Sequence, residues 1–160
     1  MASWASTRSS AGWLVRLLSN SPEETAEAGY RLGRMLKAGS TVCLYGELGA
    51  GKTVFAKGIG RALGVPERDI TSASFTIVAE HESRPPFYHI DLYRLDREED
   101  VEAAGVYDFI GCDGISVVEW AEKLEAPEGC IKVILEVLQN DSREIIIEGI
   151  DEEDWDNLQA

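Results

Sequence analysis

The chain has 160 residues, enough for a single domain with one sizeable core. Its 15 basic residues face 29 acidic ones, and a formal charge of −14 argues against a chain that grips nucleic-acid phosphates unaided. No apolar run reaches the roughly 18 to 20 residues of a membrane span, and Cys43, Cys112 and Cys130 form no C-x-x-C pair, which fits a reducing, cytoplasmic compartment better than zinc or a disulfide framework.

In chain order, residues 1–12 are rich in Ser and Ala, with Arg8 and no apolar region behind it. They read as a frayed tail and not as a secretory signal. An apolar run at 13–18 is a candidate first strand. Ser21, Pro22 and Glu24 then announce a helix, with Ser as N-cap, Pro in the first position and Glu closing a capping box. Ala28, Leu32, Met35 and Leu36 share one face of it, Gly39 is placed to end it, and Gly29 and Gly33 weaken it while permitting close packing. Residues 41–45 form a strand too apolar to alternate, as expected for one buried on both faces.

That strand runs into Gly46-Glu47-Leu48-Gly49-Ala50-Gly51-Lys52-Thr53, a complete G-x-x-x-x-G-K-[ST] loop, followed by an amphipathic helix over 54–63. Glycines let the main chain curl so that successive N–H groups point at phosphate oxygens, and the following helix adds its positive N-terminal end. Lys52 is then the side chain for the β- and γ-phosphates, and the Thr53 hydroxyl a ligand for Mg²⁺. The ligand expected is a nucleoside triphosphate.

Strands are expected at 74–79 and 87–92 with a turn between them. A helix capped by Asp96, with Glu99 in its third position, is expected through about Ala104. Residues 115–118 form another buried strand, and 131–138 with 144–150 an antiparallel hairpin around Gln139, Asn140, Asp141 and Ser142. Residues 151–160 read as an acidic tail containing Trp155. The sum is an α/β fold in one domain over 13–150, a mainly parallel central sheet between helical layers, with antiparallel C-terminal edge strands.

A Mg²⁺-dependent phosphate site also needs a carboxylate at a neighbouring strand end. Asp91 closes Tyr88-His89-Ile90-Asp91, and Glu119 directly follows the 115–118 strand. In a parallel sheet both lie on the edge beside the loop. Asp91 would assist the metal, and Glu119 would orient or deprotonate the attacking water. Lys52, Asp91 and Glu119 are thus the candidate catalytic residues, and Thr53, Asp91 and Glu119 the candidate metal set.

The succession GELGAGKT (46–53), TSASFT (71–76), YHIDLYRL (88–95) and VVEW (117–120) resembles the TsaE (YjeE) family, bacterial P-loop ATPases of tRNA threonylcarbamoyladenosine biosynthesis, over about residues 21–150. The resemblance implies a P-loop NTPase-like three-layer sandwich and an ATPase with ATP and Mg²⁺ as cofactors. It further implies support of threonylcarbamoyladenosine formation at position 37 of tRNAs reading codons that start with A, with TsaD and TsaB as partners and tRNA met only through them. It makes Asp91 and Glu119 the essential acids and Trp120 the aromatic beside the nucleotide.

Two departures stand out. Ala73 replaces the proline usual in S-P-T-[FY]-T, leaving that segment less rigid. Val54 replaces a frequent second threonine, so no hydroxyl there meets the α-phosphate, while the backbone cradle is untouched. Other residues keep two readings each: Arg94 as a phosphate-reaching cation or an ion-pair partner, and His89 as a hydrogen-bonded core residue or a base. Thr76 is a γ-phosphate sensor or a plain strand residue; Trp120 is a nucleotide contact or packing. A kinase would need a lid with clustered arginines and a GTPase an Asn-Lys-x-Asp reader, and neither is in the sequence. A nucleotide-gated binding module without functional turnover remains the rival of another class.

Overall fold

The structure, a computed structural model, describes residues 4–9, 12–71 and 76–158. One eight-stranded sheet forms the middle layer, in the order β1-β2-β8-β7-β3-β6-β5-β4. In sequence the strands are β1 (Trp4–Ser9), β2 (Gly12–Ser19), β3 (Thr41–Tyr45), β4 (Val78–His81), β5 (Phe87–Asp91), β6 (Ile115–Glu119), β7 (Ile131–Val137) and β8 (Arg143–Glu148). The helices are α1 (Pro22–Gly33), α2 (Lys52–Ala62), α3 (Glu98–Ala103) and α4 (Glu152–Asn157). Strands β7, β3, β6 and β5 run parallel, and every other pairing is antiparallel. The α/β three-layer expectation therefore holds. Its C-terminal hairpin, however, is not the sheet edge, because β2 and β1 extend the sheet beyond β8.

Burial explains the layering. All of β5 and β6, and four of the five residues of β3, are buried, which suits strands covered by helices on both faces. On one face Leu32, Phe55, Ile59, Val117, Leu135 and Trp155 join α1, α2 and α4 to the sheet. On the other, Cys43, Ile90, Val101, Val106 and Val118 pack under α3 and short 3₁₀ turns. Burial pushes the Cys43 thiol up to about 12, with Cys130 beside it adding to the shift, so this cysteine is an inert core residue.

Several boundaries differ from expectation. Trp4–Ser9, within the segment read as a frayed tail, pairs with β2 as an edge strand. Within the segment read as an acidic tail, Asp151 caps α4 and Trp155 is fully buried. The Arg31 guanidinium lies 4.0 Å from the Trp155 ring centroid and donates to the Trp155 carbonyl at 2.5 Å. Ser6 donates to Glu152, so both ends of the described chain meet. Ser21 caps α1 as expected, accepting from the Glu24 N–H at 3.1 Å, while the Glu24 carboxylate takes the Asn20 N–H at 2.7 Å. The helix ends near Gly33 and not at Gly39, because Met35 and Leu36 switch to i→i−3 bonds with Leu32 and Gly33. Helix α3 starts one residue later than expected, with Arg97 as N-cap and Asp100 accepting its N–H at 3.2 Å. Of the strand expected at 74–79, residues 74 and 75 lie outside the described residues, as do Ser72 and Ala73.

Helices α1 and α2 touch through glycines. A Cβ at Gly58 would lie 1.9 Å from the Ala26 carbonyl oxygen, and one at Gly29 2.1 Å from that of Phe55. This contact fixes where α2, and hence the loop in front of it, sits against the sheet. Gly58→Ala would gain roughly 1 kcal/mol in an isolated helix. Here overpacking is expected to lower stability by about 1–3 kcal/mol instead. Urea denaturation checks it, and a raised midpoint would mean that the helices are not in contact.

Candidate functional site

The loop emerges from β3 at the C-terminal ends of the parallel strands and closes on α2. Gly51, the N-cap of α2, has φ 105°, a left-handed conformation open to glycine and strained for other residues. The Ala50 N–H bonds the Glu47 carbonyl at 3.0 Å, and the Phe55 N–H bonds the Gly51 carbonyl at 2.9 Å. Leu48 stands at the tip, 74% exposed.

Lys52 is only 4% exposed. Its ammonium donates to the carbonyls of Gly46 at 2.5 Å and Glu47 at 2.9 Å, and lies 3.9 Å from the Trp120 ring centroid. Burial lowers its pKa, and the charges of Glu119, Glu122 and Asp91 oppose that shift.

Strand register brings the acids to the loop. Leu44 pairs with Glu119 across β3–β6, and Asp91 pairs with Glu119 across β5–β6. Both carboxylates are buried, and the Thr53 hydroxyl donates to Glu119 at 2.8 and 3.0 Å from its two oxygens. Asp91 accepts the Tyr93 N–H at 3.0 Å. His89 Nε2 lies 2.5 Å from Glu119 Oε2. Trp120 takes φ 58° and tilts against Tyr93, ring centroids 5.2 Å apart.

Lys52, Thr53, Asp91, Glu119 and Trp120, together with Leu48, Gly49, Gly51 and Val54, thus line one cavity of about 380 Å³. Gly46, Glu47 and Ala50 belong to the same loop: the first two hold the lysine, and Ala50 is buried beneath it. Thr76 is exposed and precedes β4. The oxygen-only set of Thr53, Asp91 and Glu119 has the hard-donor chemistry Mg²⁺ prefers, and Mg²⁺ habitually keeps several waters. Among the described residues there is no group of three or more His, Cys, Asp or Glu that could hold a metal, so the Thr53 hydroxyl and water would complete any shell around Asp91 and Glu119.

A second cavity, of about 260 Å³, shares Gly49, Gly51 and Val54 with the first and adds Asn20, Ser21, Pro22, Thr25, Asp141 and Arg143. Arg143 opens β8 and donates to the Gly49 carbonyl at 3.2 Å and the Asp141 carbonyl at 2.6 Å. Ser19 and Thr25 share a buried hydroxyl–hydroxyl bond of 2.7 Å beneath. No functional motif marks Asn20, Thr25 or Arg143. They meet the loop because β2 and β8 are neighbours, which only the sheet order reveals.

The model of the family described as "Threonylcarbamoyl adenosine biosynthesis protein TsaE" matches residues 19–145. The chain belongs to the TsaE family. A TsaE protein of Treponema pallidum is 41% identical over 135 residues, covering 83% of this chain and 99% of that one. One of Bacillus subtilis is 35% identical over 127 residues, 78% of each chain. The crystal structure of Bacillus subtilis YdiB is similar with a TM-score of 0.68 and 27% identity, over 99% of this chain and 93% of that one. The P-loop NTPase-like α/β fold and the family's place in threonylcarbamoyladenosine biosynthesis follow. Among the described residues no helix is long and apolar enough to cross a membrane.

Proposed function

We propose that this TsaE-family chain binds and hydrolyses ATP with Mg²⁺, in support of threonylcarbamoyladenosine formation at position 37 of tRNAs reading codons that start with A. The observation carrying this reading is the convergence of Lys52, Thr53, Asp91 and Glu119 on one glycine-rich loop at the sheet end. The loop N–H groups and Lys52 would hold the phosphates, and Thr53 and Asp91 would hold the metal with Glu119. Mg²⁺ would supply charge neutralisation at the β- and γ-phosphate oxygens. Glu119 would also orient the attacking water and accept its proton. The cavity around Asn20, Thr25 and Arg143, adjoining the loop on its other side, is the room for ribose and base.

The net charge of −14 supports a role among proteins, with TsaD and TsaB as the partners that meet tRNA. The apolar rim of Leu48, 74% exposed, and Tyr93, 49% exposed, beside the phosphate cavity suits completion of the site by such a partner. Hydrolysis by the isolated chain is accordingly slow.

Lys52→Ala is expected to weaken nucleotide affinity, whereas Glu119→Gln keeps binding and abolishes hydrolysis and tRNA modification. Calorimetric titration and phosphate release measure both; modification surviving in Glu119→Gln would favour a nucleotide-gated module without turnover. Arg143→Ala is expected to weaken ATP and ADP alike by about tenfold, as loss of a charged hydrogen bond does; full affinity would remove the second cavity from the site. The chain alone should show no salt-sensitive tRNA binding, and micromolar affinity with a steep salt slope in a filter assay would contradict the indirect role.

A further inference from the structure

We propose that His89 is a positioning residue that anchors one oxygen of Glu119 so that the other stays aimed at the loop. The inference rests on the nucleotide reading above and deepens it. His89 and Glu119 are 3% and 2% exposed, and Nε2 lies 2.5 Å from Oε2. Beyond this histidine, the side-chain donor on the carboxylate among the described residues is the Thr53 hydroxyl, at 2.8 Å from Oε1 and 3.0 Å from Oε2. The two donors have different duties. Thr53 is the hydroxyl that would turn to the metal, and it then ceases to hold Glu119. One oxygen of Glu119 would then face the metal and its water, and the other needs a donor of its own, because a buried carboxylate oxygen without one is costly and free to rotate. His89 has no competing duty at the loop, so it is the donor that persists.

The ring itself is held in place. Phe87, His89 and Asp91 alternate onto one face of β5, and Ile115, Val117 and Glu119 onto the same face of β6. His89 pairs with Val117, so its side chain leans one step along the strand to reach Glu119. The Phe87 ring lies parallel to the imidazole within 2°, centroids 6.5 Å apart. His81, the partner of Phe87 across β4–β5, stacks on Phe87 in turn at 5.7 Å. This aromatic row restrains the imidazole from swinging away from the carboxylate.

A histidine that merely fills the core would tolerate an apolar side chain of similar size. An anchor would not. The test compares the full-length wild type with His89→Leu and His89→Gln, the latter keeping an N–H donor near the position of Nε2. His89→Leu is expected to lower kcat for magnesium-ATP by about 10- to 100-fold, as misplacement of a catalytic group does, while the Kd of a fluorescent ATP analogue stays unchanged. His89→Gln is expected to recover most of that loss.

Without nucleotide, urea unfolding of His89→Leu, Glu119→Gln and the double variant is expected to be non-additive, since the first change matters only while Glu119 needs a donor. Unchanged kcat in His89→Leu, equal losses in the Leu and Gln variants, a Kd that worsens in step with kcat, or an additive cycle would each overturn the proposal. Should the wild type bind no nucleotide, the ATP reading fails instead. The unfolding cycle then decides the anchor alone, coupling supporting it and additivity overturning it.

Discussion

Two titratable side chains buried beside the loop organise this end of the molecule. Lys52 and Glu119 are both almost wholly out of water, and each buried ion costs several kcal/mol unless its hydrogen-bonding capacity is met. Two loop carbonyls and the Trp120 ring meet that of the lysine. The Thr53 hydroxyl and His89 meet that of the glutamate. Neither Thr53 nor His89 is local in sequence to Glu119. They arrive because β3, β5 and β6 end level with one another, Leu44 and Asp91 both in register with Glu119. A slip of one residue in the β3–β6 pairing would turn the Glu119 carboxylate to the opposite face, and one in the β5–β6 pairing would part it from Asp91 and His89. The parallel register is therefore both a folding constraint and the construction rule of the site.

Much of this was legible in the residues. The run Thr41–Tyr45 is too apolar to be anything but a doubly covered strand, and it was found at those bounds. Asp91 and Glu119 could be placed together because two β-rich runs each end in an acid, and parallel strands bring like ends to one edge. Most of what escaped was decided by partners distant in sequence. Trp4–Ser9 carries the Ser, Thr and Ala of a tail, and only pairing with β2 makes it a strand. Trp155 sits in an acidic segment that looks solvated until the Arg31 guanidinium and the α1 face cover its ring. The end of α1 was misread because Gly39 is the stronger local signal, whereas the helix stops earlier through tightened bonds after Leu32.

The second cavity is the clearest case of a feature invisible in one dimension. Asn20 and Arg143 are separated by most of the chain and belong to no motif. They face the loop because β2 inserts beside β8, so the turn before α1 and the start of β8 lie at the same sheet end. A local reading of turns and periodicity predicts both segments and still cannot join them. Sheet order is a global property, set by which edges remain to be covered after the parallel core has formed.

That arrangement divides the labour around the loop. The parallel strands β5 and β6 carry the carboxylates and their aromatic support; the antiparallel strands β2 and β8 carry Arg143 and lead to the capped start of α1. The two halves meet through β3 and the loop it feeds, and the glycine contact between α1 and α2 ties the helical layer to both. The antiparallel half is in turn secured by its periphery, where Ser6 bonds Glu152 and Arg31 binds over Trp155. Residues far from the loop thereby support one wall of the second cavity. The outermost of them, β1 and α4, lie beyond the stretch matched by the family model, which ends at residue 145 and begins at residue 19. Their physical role is to cover the β2 edge and the open flank of α1, so that Arg143 approaches the loop from a rigid wall and not from a frayed edge.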